Sequence, residues 1–306
     1  MKLISWPGNK QRQMNQILRF VPDTIRDDAA VCEPFFGTGA FTMSLLDTTN
    51  GPVFAAEACK PLHNWWTHLM QSTNEMISLM SNYRNQYAGA KTDRKVFDEL
   101  RDGWNAMNIS SPSSVETAAM FWVLIYQSTN NLVRFNQSGK YNQTWGKGRN
   151  VPDPLQVFTE VPRRYISWLH EATNKGCFAT DFNDAISKFI EYGDVGVCFI
   201  DPPYILETGT YDDDCWGDDE LAQLMGWVER LENDRYWWMW TDYIANGDVR
   251  HPYENSIRSH FTVEPLVRNR NARPNGTSDT KEEVMILGSD VEYPENPQDV
   301  LFDYRQ

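Results

Sequence analysis

Apolar positions along this 306-residue chain follow two different periods. Short runs rich in β-branched and aromatic residues fall at 29–34, 53–56, 177–180, 195–200, 236–241, 261–267 and 283–287. Runs of that length, bounded by turn residues, read as buried strands. Between the second and third runs the period becomes helical. Trp65, Leu69, Met76, Ile77 and Met80 recur at helical spacing, and a second apolar stretch covers 120–126. Residues 13–20 place Met14, Ile17 and Leu18 on one helical face. The first strand leads into a glycine loop at 35–40, a helix start at 41–46, a Gly51-Pro52 turn, and a strand ending at Glu57. That order is a βαβ unit with an acid about 20 residues beyond the loop. The pattern predicts an α/β fold. Residues 1–61 and 163–288 form the sheet domain, 62–162 are a mostly helical insertion with long polar loops, and 289–306 are an acidic tail.

The run at 195–200 ends abruptly in Asp201-Pro202-Pro203-Tyr204. Each proline fixes φ and removes a backbone donor, so a sheet ladder cannot continue. What remains at the strand tip is a carboxylate, a rigid pair of carbonyls and an aromatic ring. These groups suit a planar exocyclic amine, a poor nucleophile because its lone pair is delocalised into its ring. A carboxylate and a carbonyl can accept the amine's two hydrogens and favour a pyramidal nitrogen, while Tyr204 stacks on the base. Such chemistry relies on positioning and electrostatics more than on a strong base. Ligands of open α/β sheets bind at the carboxyl ends of strands, where this tetrad falls.

Three further features admit two readings each. Glu33-Pro34-Phe35-Phe36-Gly37-Thr38-Gly39 is either an ordinary strand-to-helix turn or a loop whose glycines let backbone approach a ligand closely. Its aromatic flank and the lack of a full GxGxxG pattern favour a less charged ligand than a dinucleotide, such as S-adenosylmethionine. Glu57 is either a solvated strand-end acid or an acceptor for two ribose hydroxyls. Lys10, in Trp6-Pro7-Gly8-Asn9-Lys10, is either a surface lysine beside a turn or the partner of a carboxylate.

Composition narrows the setting. No apolar run approaches the roughly 18 residues of a membrane helix, and the first residues lack a signal-peptide core. The five cysteines are scattered without a CxxC pair, which fits a reducing, cytoplasmic location. The five histidines form no ligand-spaced cluster, so no metal is expected. The aromatic content, 12 Trp, 13 Tyr and 15 Phe, serves either a large core or exposed stacking surfaces. A net charge of −14 opposes nucleic-acid binding. The distribution points the other way, because residues 117–152 contain no acid yet carry Arg134, Lys140, Lys147 and Arg149. A second acid-free stretch, 265–278, carries Arg268, Arg270 and Arg273.

Taken in order, Pro7-Gly8-Asn9-Lys10, the Glu33–Gly39 loop and Asp201-Pro202-Pro203-Tyr204 resemble the Dam-type DNA adenine-N6 methyltransferases, with the phage branch most similar. The resemblance covers residues 4–288. Asn131-Leu132-Val133-Arg134-Phe135-Asn136, with Gly139, Tyr141 and Trp145-Gly146-Lys147, looks like that family's DNA-reading hairpin near 130–149. Leu100-Arg101-Asp102-Gly103-Trp104-Asn105 is similar to a phosphate-contacting helix segment, and Arg273-Pro274-Asn275-Gly276-Thr277 also has a counterpart.

The resemblance implies a seven-stranded, Rossmann-like methyltransferase sheet with an inserted helical target-recognition domain. It implies S-adenosylmethionine as donor and double-stranded DNA as partner. Asp201, Pro202 and Tyr204 are then catalytic. Trp6, Lys10, Phe36, Gly37, Gly39, Glu57, Asp181, Phe182 and Asp201 are implied to contact the donor. Arg101, Asn130, Asn131, Leu132, Arg134, Asn136, Lys140, Trp145, Lys147, Arg149 and Arg273 are implied to contact DNA. The implied reaction flips adenine from the duplex and methylates N6, at GATC or a related short site. This chain has Glu57 where the family has Asp, Gly148 before Arg149, and Thr144 in place of a proline. The last two departures fall in the reading element, so GATC itself is not carried over. The same tetrad would also serve cytosine N4 or an RNA amine, and a non-catalytic DNA-binding relative would keep the same fold.

Overall fold

The computed structural model describes residues 2–22, 25, 27–193, 195–206, 216–266 and 281–288. Arg273, the other cations of 265–278 beyond residue 266, the acids at 212–214 and the acidic tail lie outside the described residues. At the centre is one mixed sheet. Its strands are β1 (Ala30–Glu33), β2 (Val53–Ala56), β3 (Cys177–Ala179), β4 (Gly196–Ile200), β5 (Trp237–Asn246), β6 (Val249–Arg250), β7 (Thr262–Pro265) and β8 (Lys281–Leu287). The order across the sheet is β3-β2-β1-β4-β5-β8-β7, with β6 attached to β5. The first five are parallel, and β8 runs antiparallel between β5 and β7. The chain turns outward from β1 in both directions, towards β2 and towards β4. In open α/β sheets that switch point is where ligands bind.

Alternation along the strands feeds two cores. Val31, Val53, Ala55, Val197, Phe199, Met239, Met285 and Leu287 face one side. Ala30, Cys32, Phe54, Ala56, Cys198, Ile200, Trp238, Trp240, Val284 and Ile286 face the other. The second face is covered by α9 (Phe182–Tyr192), α10 (Asp218–Asn233) and α11 (Glu254–His260), through Phe189, Leu224, Val228 and Ile257 among others. The first face receives α1 (Met14–Ile17) and α2 (Ala40–Ser44), together with the helices between β2 and β3. These are α3 (Lys60–Gln71), α4 (Thr73–Gln86), α5 (Arg94–Ser110), α6 (Val115–Gln127), α7 (Pro154–Val157) and α8 (Glu160–Lys175).

Helix α6 is the axis of this inserted layer. Ser114 caps it by accepting the Thr117 N–H at 3.2 Å, and every side chain from Thr117 to Gln127 is buried. A helix apolar on all sides must be surrounded. Trp104 of α5 donates to Thr117 O at 3.1 Å, and Trp122 donates to Leu3 O at 2.9 Å. The insertion thus shares one continuous core with the sheet. At the end of α6 the chain enters a hairpin, closed by antiparallel bridges Ser128↔Trp145 and Phe135↔Tyr141.

Local differences from the sequence pattern have identifiable causes. Strand β5 continues past Thr241 to Asn246, because Asp242 and Tyr243 stay in the ladder opposite Val284 and Glu283. The added β6 forms a hairpin across Gly247, whose φ of 63° supplies the left-handed turn. The helix expected over 13–20 is one α turn between two 3₁₀ turns, Lys10–Arg12 and Leu18–Phe20. Helix α2 is only five residues long.

Candidate active site

The tetrad follows β4 directly, at the carboxyl edge of the sheet. Asp201 is pinned from two sides. Lys10 Nζ lies 2.6 Å from its Oδ1, and Thr241 Oγ1 of the neighbouring strand donates to the same atom at 2.7 Å. The Asp201 carboxylate is therefore held in orientation, and neither of these contacts uses Oδ2. Lys10 is itself buried, donates to Gly8 O at 3.2 Å, and sits 4.7 Å from the centre of the Tyr204 ring. One ammonium thus joins the N-terminal turn, Asp201 and Tyr204.

Tyr204 is buried and forms a T-shaped pair with Tyr243 at 4.6 Å between centroids. Its hydroxyl donates to Glu283 Oε1 at 3.0 Å, and Gln13 Nε2 donates to Glu283 Oε2 at 3.0 Å. Burial, then the charges of Asp201 and Glu283, push the phenol well above its ordinary value, so it remains a donor.

On the other side of β4 lies the glycine loop. Gly37 and Gly39 have φ of 48° and 62°. A Cβ at Gly39 would lie 2.5 Å from the Phe36 ring, so a side chain there conflicts with both backbone and packing. Gly37 turns its bare Cα to the Trp6 indole and accepts the Trp66 Nε1–H at 2.9 Å. Glu57, at the tip of β2, accepts the Gly37 N–H at 3.0 Å and the Cys59 N–H at 2.8 Å, one on each oxygen. Each oxygen keeps lone-pair capacity for another donor. Burial lifts its pKa to about 7 against the pull of these two N–H groups.

Phe182, at the start of α9, stacks on Phe35 at 5.2 Å, and Trp216 meets both rings edge-on. Asp181 caps α9 by accepting the Asn183 N–H at 2.9 Å.

These groups line one cleft of about 1950 Å³. Trp6, Lys10, Phe36, Gly37, Glu57, Asp181, Phe182, Asp201, Pro202 and Tyr204 all contribute to its wall, and Gly39 shapes the loop from behind. Residues 133–139 and Asn142 of the hairpin line the same cleft. Among the described residues no group of three or more His, Cys, Asp or Glu could hold a metal ion, and no helix is long and apolar enough to cross a membrane.

The residues expected to meet DNA divide by what they already touch. Arg134, Asn136 and Lys140 are exposed on the hairpin, where Asn142 N–H bonds Arg134 O at 2.9 Å and Asn136 N–H bonds Lys140 O at 2.9 Å. The Asn136 side-chain oxygen accepts the N–H groups of Ser138 and Lys140, so it holds the turn. Leu132 and Lys147 are exposed as well. Asn130 and Asn131 adopt positive φ at the hairpin's root. Asn131 donates to Ser5 Oγ at 2.6 Å and accepts from Arg149. Trp145 anchors the hairpin to the helical layer by donating to Ala90 O at 2.7 Å. Arg101, on α5, is paired with Asp98 at 2.9 Å and Asp102 at 3.0 Å.

Sequence reading passed over several residues of this site. Glu33 ends β1 as Glu57 ends β2, accepts the Thr42 N–H at 2.8 Å, and is lifted by burial to about 8. An acid closing an apolar run was the available signal. Gln13 and Thr241 gave none, because their partners lie far away in sequence, and Glu283 showed only as an acid in step with Met285 and Leu287.

Several known proteins are similar to this chain in sequence. The chain is 23% identical over 277 residues to "Modification methylase LlaI" of Lactococcus lactis subsp. lactis, a match covering 86% of this chain and 40% of that protein. It is 26% identical over 208 residues to the "DNA N-6-adenine-methyltransferase" of Escherichia phage P1, covering 66% of this chain and 24% of that protein. It is 22% identical over 272 residues to the "Retron Ec67 DNA adenine methylase" of Escherichia coli, covering 86% and 84%. The chain therefore spans less than half the length of the first two relatives and most of the third. A family model described as D12 class N6 adenine-specific DNA methyltransferase matches residues 6–256, which hold the N-terminal turn, the glycine loop, the hairpin and the tetrad, and the chain belongs to that family.

Proposed function

We propose that this chain methylates N6 of adenine in duplex DNA, with S-adenosylmethionine as the methyl donor. The observation that carries the reading is the placement of Asp201, fixed through Oδ1 by Lys10 and Thr241, in the same cleft as the glycine loop and the hairpin. The residues fit the donor. Glu57 offers carboxylate lone pairs for a ribose diol, Gly37 leaves bare backbone beside Trp6, and Phe182 with Phe35 and Trp216 gives an aromatic lining for a purine. S-Adenosylmethionine, when bound, supplies an electrophilic methyl group.

The chain's own residues supply orientation. Asp201 Oδ2 and the Pro202 carbonyl accept the two hydrogens of the target amine and turn its lone pair out of the base plane. Lys10 and Thr241 keep the carboxylate from rotating. Tyr204 contacts the base with the ring surface that Lys10 leaves open. The base reaches this position only by leaving the stack, at a cost of a few kcal/mol that protein contacts must offset. Arg134 and Lys140 on the hairpin provide contacts to the duplex. Their segment is acid-free, so a chain of net charge −14 still presents a cationic edge to phosphate.

The direct test is transfer of labelled methyl from S-adenosylmethionine to duplex DNA by the purified chain. Incorporation is expected; its absence under conditions that saturate the donor site would end this reading.

Two expected results check the parts. Glu57, with a pKa of about 7, accepts ribose hydroxyls best when ionised. Affinity for S-adenosylhomocysteine should then fall about tenfold from pH 8 to pH 6, as the ionised fraction falls. Glu57→Gln should bind weakly with no such slope; calorimetry at several pH values reads both. Arg134→Ala should relax base preference at one position of the site, by roughly 1–3 kcal/mol of discrimination. Turnover on duplexes with single-base changes measures it, and an unaltered profile removes Arg134 from the reader.

A further inference from the structure

We infer that Glu283, held by Gln13, is a positioning residue that sets the angle of the Tyr204 ring in the site. The inference deepens the methyltransferase reading and rests on it.

The first observation is one of pattern. Glu283 alternates with Met285 and Leu287, both of which face the sheet's first core, while Val284 and Ile286 face the second. An acid therefore stands where the strand's period calls for an apolar side chain. It is buried, and a buried carboxylate is costly unless it is well bonded. Its bonds go to Tyr204 of the tetrad and to Gln13.

The second observation concerns the N-terminal turn. Gln13 follows the 3₁₀ turn Lys10–Arg12 and closes it with its N–H on Lys10 O at 2.8 Å. Residues three apart in such a turn are eclipsed. Lys10 and Gln13 therefore leave the same side, Lys10 to Asp201 and Gln13 to Glu283. One turn thus governs both ends of the tetrad.

The third is the strand geometry. Glu283 lies opposite Tyr243 across β5 and β8, just before a register shift between Tyr243 and Ala245. Irregular pairing of this kind re-aims side chains beside sites. Tyr243 packs against the Tyr204 ring in a T-shaped pair while Glu283 fixes its hydroxyl. With its hydroxyl bonded, Tyr243 packed against it and Lys10 4.7 Å from its centre, the ring has one orientation to offer a base.

The test is a double-variant cycle of Tyr204→Phe and Glu283→Leu. Leucine suits the apolar face, so the fold is expected to hold while the tether is lost. Each single variant should lower kcat roughly tenfold, as expected for loss of a buried hydrogen bond to a carboxylate, with KM for DNA within about twofold of the wild type. The double variant should be no slower than the slower single one. Urea unfolding of the same four proteins should also show coupling between the two positions, and this readout needs no activity. Additive losses in kcat, or wild-type kcat in Glu283→Leu, overturn the assignment while the methyltransferase reading stands. Uncoupled unfolding overturns the bond itself. An inactive wild type with coupled unfolding overturns the methyltransferase reading, and with it the positioning role, but leaves the tether in place.

Discussion

Asp201→Ala is expected to reduce methyl transfer by about three orders of magnitude while leaving S-adenosylhomocysteine binding within about threefold of the wild type. In the proposed reaction the Asp201 carboxylate accepts a hydrogen bond that strengthens as the amine nitrogen bonds to the methyl carbon and the donor's sulfur leaves as a neutral thioether. The cationic nitrogen then loses one proton, by way of the carboxylate, to water. Such preorganised acceptors act where charge develops, so their removal appears in the rate of transfer rather than in donor affinity. Lys10 and Thr241 hold the acceptor in place before substrate arrives. Single-turnover transfer and calorimetry on the same preparation separate the two quantities. A large loss of donor affinity with an unchanged single-turnover rate would place Asp201 on the donor side instead.

Lys10→Met should have the second-largest effect. The side chain is buried and its ammonium contacts Asp201, Gly8 O and the Tyr204 ring. Methionine keeps much of the stem's volume and removes the charge. Asp201 then loses its nearby cation, with Thr241 as its remaining fixed donor. Breaking a buried ion pair costs about 3–5 kcal/mol. Asp201 keeps some exposure, so about 2 kcal/mol of stability is the scale expected after solvent screening. Transfer should fall about a hundredfold or more, because the carboxylate can now rotate. Asp201→Asn/Lys10→Met should recover part of the lost stability without recovering activity, since it removes the uncompensated charge but not the misorientation. Chemical denaturation and single-turnover transfer check the two halves.

Much of the fold was legible because its signals are local. Strands β1 to β4 are short apolar runs ended by Glu33, by Glu57, by Thr180-Asp181 and by Asp201-Pro202. The helical layer announced itself through a change of period near residue 62. What the sequence hid depends on distance along the chain. β5 holds Asp242 and Tyr243 in its ladder through pairing with β8, which no local pattern specifies. The five-residue α2 is cut short where its helical ladder closes on itself at Leu45.

The site shows the same division. Asp201, Tyr204, Lys10, Glu57 and the glycine loop are visible because they fall at strand ends and turns that local pattern marks, in an order that resembles the family's. Their mutual contacts are not. That Lys10 pairs with Asp201 rather than facing solvent, and that Glu283 reaches Tyr204, follows only from the order of strands across the sheet. In the hairpin, Trp145, Asn131 and Arg149 hold local structure, which leaves Arg134, Lys140 and Lys147 as its exposed cations. Residue type alone does not separate anchor from reader.

The most direct measurement is the identity of the modified nucleoside. Duplex DNA incubated with the chain and S-adenosylmethionine is digested to nucleosides and resolved by mass spectrometry, with Asp201→Ala as the control. N6-methyldeoxyadenosine is the expected product, absent from the control. N4-methyldeoxycytidine, or no methylated nucleoside at all, would contradict the adenine-N6 reading.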